Sequence, residues 1–150
     1  MTIVEKLEEF DLFDNSVIKH GSCENIRDYE LFGYLSGQEF DIEVKYLFKG
    51  CIEVSFRNTV EPKYFSMDDR LLDLTQQDAS DYPQSFVWAA GADVYPGWRL
   101  EENTKELENL KTLYKLEFYK IYIETNACNL EIIFHDLETT LLKRYEKMSF

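Results

Sequence analysis

Apolar residues recur at every second position along much of this chain, the spacing that turns one side of a β-strand toward a core and leaves the other in water. The clearest run is Phe40, Ile42, Val44, Tyr46 and Phe48 against Asp41, Glu43, Lys45 and Lys49. It resumes after Gly50 with Ile52, Val54 and Phe56 against Glu53, Ser55 and Arg57. Two alternating runs around a short glycine-containing turn predict a β-hairpin with one buried face. A second hairpin is predicted over 116–124 and 130–135, with Tyr119, Ile121 and Ile123 on one side of its first strand, Leu130, Ile132 and Phe134 on one side of its second, and a turn at 125–129. Strands are also expected at 17–20 and 27–35, the latter with Tyr29, Leu31 and Leu35 facing together. Parallel strands buried on both faces would read as unbroken apolar runs, so the sheet is expected to be antiparallel.

Two segments carry the helical period instead. Thr2 and Glu5 have the spacing of a capping box, followed by the stripe Ile3, Val4, Leu7 and Phe10. Asp14, Asn15 and Ser16 then suit a turn, because their short side chains bond nearby backbone. A second helix is predicted over 102–113, capped by Asn103, with Glu106 in its first turn and Leu107, Leu110 and Leu113 as its buried stripe. The stretch 137–145 fits strand or helix. The fold class is α+β: a mostly antiparallel sheet of hairpins with one or two covering helices, in a single domain over 1–150. A β-sandwich with peripheral helices is the alternative.

The middle of the chain differs. Residues 61–82 hold Asp68, Asp69, Asp73, Asp78 and Asp81 around Leu71, Leu72 and Leu74, and 83–98 collect Phe86, Trp88, Tyr95 and Trp98 among Gly91, Pro96 and Gly97. Connections this long in small proteins are often functional. Aromatic anchors ringed by polar groups resemble the hot spots of protein–protein interfaces. Asp68, Asp69, Asp78, Asp81, Tyr95 and Trp98 are therefore the candidate partner-binding residues. The competing reading is structural, with Phe86, Trp88 and Trp98 plugging the open face of the sheet.

Charge sharpens this picture. Asp and Glu number 29 against 16 Lys and Arg in 150 residues, a net charge of −13. Nucleic acids and anionic membranes are disfavoured as partners, since both need clustered cations, and the densest group is only Lys143, Arg144 and Lys147. A negative field instead steers a basic protein, although it also serves solubility. The first thirteen residues carry Glu5, Glu8, Glu9 and Asp11 and no apolar h-region, so a cytoplasmic location is expected. Cys23, Cys51 and Cys128 then read as reduced thiols.

Catalytic patterns are sparse. There is no G-x-G-x-x-G, P-loop or nucleophile elbow. His20 and Cys23 have H-x-x-C spacing, but a zinc site wants three or four ligands, with only His135, Cys51 and Cys128 left to supply them. Cys23 with His20, and Cys128 with His135, are formal nucleophile–base pairs. Asp68 and Asp69 as a catalytic acid pair compete with a solvated surface. No catalytic residue, metal or cofactor is assigned.

Two stretches carry a family resemblance. Ser16-Val-Ile-Lys-His-Gly with Arg27-Asp-Tyr-Glu, and Phe118-Tyr-Lys-Ile-Tyr-Ile-Glu-Thr-Asn-Ala with Leu130-Glu-Ile, resemble the YxiG-like family of small bacillar proteins. The resemblance brings no catalytic residues with it. In size and acidity such proteins are similar to immunity proteins that neutralise toxins passed between competing bacteria. The expected function is a non-enzymatic binding protein, an immunity-type inhibitor whose acidic surface docks on a basic toxin domain. The alternative is a small enzyme or ligand-binding protein with a pocket beside 83–98.

Overall fold

Backbone pairing sorts the strands into two antiparallel sheets in the computed structural model, which describes residues 1–58, 92–94, 97–126 and 128–146. The first sheet holds β1 (Ser16–Ser22), β2 (Tyr29–Leu35), β3 (Phe40–Lys49), β5 (Ala92–Asp93) and β9 (Asp136–Glu146), in the order β5-β1-β2-β3-β9. The second holds β4 (Glu53–Asn58), β6 (Gly97–Glu101), β7 (Tyr119–Glu124) and β8 (Cys128–Phe134), in the order β4-β8-β7-β6. Their inner faces share one core. Tyr29, Leu31, Val44, Tyr46 and Phe48 of one sheet meet Ile121, Ile123, Leu130, Ile132 and Phe134 of the other, and Phe48 sets its ring edge-on to Phe134 at 5.0 Å. The class is α+β, with the strands in two layers and the helices at the margins.

Helix α1 (Ile3–Glu9) begins with the expected capping box, Thr2 and Glu5 each bonding the other's backbone N–H. Its stripe seats Ile3 and Leu7 in the core, and Lys6 Nζ fastens it to β9 through Asp136 at 3.2 Å and the Leu137 carbonyl at 2.8 Å. Helix α2 (Lys105–Tyr114) covers the outer face of the second sheet, packing Leu107 against Phe118 and Ile133. Ile132, Ile133 and Phe134 are buried in succession because β8 is covered on both faces. The hairpin predicted over 116–124 and 130–135 forms with shifted ends, its strands starting at Tyr119 and Cys128, and pairs Tyr119 with Phe134, Ile121 with Ile132 and Ile123 with Leu130.

The first predicted hairpin does not form. β3 pairs with β2 and β9, whereas β4 pairs with β8 in the other sheet. The chain turns a corner instead: Gly50 sits at φ +63°, Cys51 N donates to Arg27 O, and Ile52 N donates to Ile133 O. Opposite, β8 runs into β9 with only His135 between, and His135 N donates to Lys49 O at 2.9 Å. β3–β4 and β9–β8 are thus one antiparallel ribbon bent across both sheets, a corner of the kind that joins crossed sheets. Alternation keeps its phase through such a bend, so the sequence pattern suits corner and hairpin equally. Of the predicted buried face, Val44, Tyr46 and Phe48 are buried, Phe40, Ile42 and Val54 are partly covered, and Phe56 is 57% exposed on an edge strand.

Helix α2 also departs from expectation. Its cap is Thr104, whose Oγ1 accepts from Leu107 N at 3.3 Å, while Asn103 takes a left-handed turn at φ 58°. Asn tolerates that conformation, which makes it a turn residue here rather than a cap. Leu113 is 70% exposed in the last turn of the helix, which Lys115 ends at φ 58°, and the cluster of Leu107, Phe118 and Ile133 takes in Leu110 but not Leu113. The ambiguous 137–145 segment is strand.

Candidate functional site

The N-terminal segment is built into a rigid rim between α1 and β1. Asn15 organises it: its side-chain nitrogen donates to the carbonyls of Asp11 and Phe13, and its Oδ1 accepts from Ser36 N at 2.8 Å. Its backbone carbonyl accepts from Val94 N, and Val94 in turn accepts from Asp14 N. The Tyr46 hydroxyl, reaching out of the core, donates to the carbonyl of Phe10, and burial pushes that phenol's pKa up, keeping it a donor.

This rim borders a cleft of about 280 Å³. Phe10, Leu35, Phe40 and Ile42 make its apolar floor, and Glu8, Glu9 and Asp11 stand at its edge. Glu8 and Glu9 occupy or adjoin the last turn of α1, where the helix dipole opposes carboxylates, so the helix gains nothing from them. All three carboxylates are exposed. The chain already shows what such a surface offers a cation, since the Arg144 guanidinium lies 4.2 Å above the Phe40 ring.

Of the sequence-nominated residues, Trp98 lies beside this rim. It is a strand residue of β6 paired with Ile123, half-buried against the core, and its indole Nε1 donates to Asp11 Oδ1 at 2.8 Å. Asp68, Asp69, Asp78, Asp81 and Tyr95 lie outside the described residues, as does most of the 83–98 segment. Glu8, Glu9 and Asp11 were missed as a site because only tertiary structure brings α1 beside the β2–β3 turn. The one available signal was a run of acids around Phe10 at a helix exit.

A second cleft, of about 320 Å³, opens between β1, beyond its short pairing with β5, and the edge strand β4. Ser22, Tyr29, Cys51, Val54 and Phe56 line it, and His20 sits at its margin with Nδ1 2.5 Å from the Tyr29 hydroxyl and its ring edge-on to Phe56. Burial lowers the His20 pKa and pushes Tyr29 up to about 12 and Cys51 up to about 12. At neutral pH the phenol and the thiol are both protonated, which makes Cys51 a poor nucleophile. His20 and Cys23 do not meet at a metal-like cluster; among the described residues no three His, Cys, Asp or Glu side chains do. Cys128 bonds within its own turn to Thr125, whereas His135 Nδ1 donates to the Glu117 carbonyl at 2.8 Å, so the two have separate partners.

The described residues thus define an α+β protein of two antiparallel sheets with an acid-rimmed, apolar-floored surface cleft. The model of the YxiG-like protein family matches residues 1–149, and the chain belongs to that family. No curated protein matches the chain. No helix among the described residues is long and apolar enough to cross a membrane.

Proposed function

We propose that this protein is a non-enzymatic, cytoplasmic binding protein that docks a basic protein partner, most concretely an immunity-type inhibitor of a basic toxin domain. The observation that carries this reading is the cleft of Glu8, Glu9 and Asp11 over Phe10, Leu35, Phe40 and Ile42. A Lys or Arg of the partner lays its aliphatic stem on the apolar floor and its charge among the carboxylates, a geometry that uses both halves of such a side chain. The net charge of −13 adds long-range steering toward a basic surface. Inhibition follows by occlusion, because the lysines and arginines a toxin needs for its own substrate are covered. The protonated Cys51 and Tyr29 fit a binding role better than a catalytic one.

The test is association kinetics with a toxin domain encoded beside this protein's gene, measured for the unaltered chain and for Glu8→Gln/Glu9→Gln. The double variant is expected to slow association several-fold at low salt and to flatten the salt dependence, with an unchanged thermal transition. Equal association rates for the two proteins, across salt, would overturn the reading.

A further inference from the structure

At the far end of β3 from the acidic cleft, about 30 Å along a ten-residue strand, lies a pocket of opposite character. It has a volume of about 210 Å³ and sits between the corner of the bent ribbon and the C-terminal end of α2. Ile52, Tyr114, Leu116 and Phe118 form its walls, and Cys51 closes its back. Tyr114 and Leu116 are 52% and 44% exposed, more than their neighbours in the core require. Arg27 and His135 stand among its lining residues, and among the described residues no carboxylate lines it.

Arg27 is the telling residue. Its backbone carbonyl accepts from Cys51 N and its Nη1 reaches the Cys51 carbonyl at 3.4 Å, which fixes it at the mouth. Among the described residues it has no ion-pair partner, although acids outnumber cations throughout the chain. Of the carboxylates around the corner, Asp28 Oδ1 accepts from Gly50 N, Glu117 pairs with Lys111 and Asp136 pairs with Lys6, while Glu53 lines the neighbouring cleft that Arg27 also borders. His135 is turned by its Nδ1–H bond to Glu117 O, which fixes the ring at the pocket's other side.

We propose that this pocket binds a small aromatic or branched-chain carboxylate, with its apolar body against Ile52, Leu116 and Phe118 and its carboxylate on the Arg27 guanidinium. An apolar cavity of about 150 Å³ holds a benzene ring, so this one has room for a ring and a short acidic arm. Guanidinium–carboxylate bonds are charge-assisted and directional, which gives the site a preference for acids over uncharged isosteres. The site is independent of the acidic cleft and of the reading built on it.

The test is a titration of the 15N-labelled protein with phenylacetate, phenylacetamide and phenethylamine, which share one apolar body and differ in charge. Phenylacetate is expected to shift the Cys51, Ile52, Phe118 and His135 amides saturably and to bind roughly five- to tenfold tighter than the amide, with the amine weakest. Arg27→Gln should bring acid and amide to within about twofold of each other, and Leu116→Ala should weaken both alike. Equal binding of acid and amide by the unaltered protein, shifts confined to another surface, no saturation with phenylacetate, or a preference that survives Arg27→Gln would each overturn the proposal. Should Arg27→Gln fail to fold, the ranking of the three probes on the unaltered chain decides alone.

Discussion

Trp98 and Asp11 are joined by a 2.8 Å hydrogen bond from the indole Nε1 to Oδ1, across 87 positions of sequence. The same carboxylate oxygen accepts from Phe13 N at 2.9 Å, so one acid both shapes the turn after α1 and anchors it to β6. Trp98→Phe keeps most of the apolar contact and removes the donor. Because the bond is solvent-exposed, the expected loss of stability is about 1 kcal/mol, read from urea midpoints. Asp11→Ala removes the acceptor of both bonds and should cost more than Trp98→Phe, and the double variant should cost less than the sum of the two, because they share the Trp98–Asp11 bond. Fully additive losses would show that the two side chains are not coupled.

Gly33 lies mid-strand in β2 because there is no room for anything larger. A Cβ there would stand 2.7 Å from Leu12 Cδ2, 3.1 Å from Leu35 Cδ1 and 3.3 Å from the Tyr46 ring, and Leu12 is itself buried. Gly33→Ala is expected to destabilise by about 1–3 kcal/mol through overpacking. Leu12→Ala opens a void costing about 2–4 kcal/mol, and Gly33→Ala made in that background should cost clearly less than alone, with only the contacts to Leu35 and Tyr46 left to relieve. Chemical denaturation of the four proteins of this cycle measures the coupling; its absence would mean that Leu12 does not set the limit.

Stability should fall at alkaline pH. Cys51 rises from 9.0 to about 12 and Tyr29 from 10.0 to about 12, in both cases chiefly through burial. The folded state therefore holds these protons after the unfolded chain has released them. The stabilisation is complete below pH 9 and is lost as pH climbs toward 12. Lys49 and Lys111, raised by hydrogen bonds to Glu138 and Glu117, act in the same direction. Tyr29→Phe isolates one contributor: its urea midpoint should decline less steeply between pH 10 and 11 than that of the unaltered protein. Identical slopes would remove Tyr29 from the account.

The strands, the α1 capping box and the 119–134 hairpin were legible in sequence because each rests on local chemistry: a period, a pair of side chains three apart, a short turn. Partnership between strands was not. Residues 40–48 and 52–56 alternate in phase, and the pattern does not record which neighbour their backbone meets. The same limit applies to the candidate site. Glu8, Glu9 and Asp11 are adjacent in sequence, but the floor beneath them comes from β2 and β3, and Arg27 meets Phe118 and Leu116 only because the ribbon bends. Leu113 shows the same limit, since helical spacing marks a possible buried face while the helix's end at Lys115 leaves its last turn outside the cluster of Leu107, Phe118 and Ile133. Trp98 was chosen for its chemistry, and its position in a paired strand beside Asp11 depended on tertiary structure.

The bend itself rests on Gly50. Its φ of +63° lies in the left-handed region, and a Cβ added there would approach the Cβ of His135 to 3.2 Å, on the facing half of the ribbon. Gly50→Ala thus meets two costs, backbone strain of about 1–2 kcal/mol and a contact that neither chain can easily relieve, because His135 N is already bonded to Lys49 O. A loss of about 2–3 kcal/mol is expected. Gly50→Asn keeps the steric cost but tolerates the backbone angle better, and should fall between the two. Gly21, in β1, provides the control: a Cβ there meets nothing within 4 Å and its backbone is not left-handed, so Gly21→Ala should change stability by less than about 0.5 kcal/mol. Thermal and urea unfolding of the three variants should rank them Gly21→Ala, Gly50→Asn, Gly50→Ala from least to most destabilised. If Gly50→Ala matched the Gly21 control, the corner would not depend on the left-handed residue, and the join between the two sheets would have to be held by the backbone bonds of Cys51, Ile52 and His135 alone.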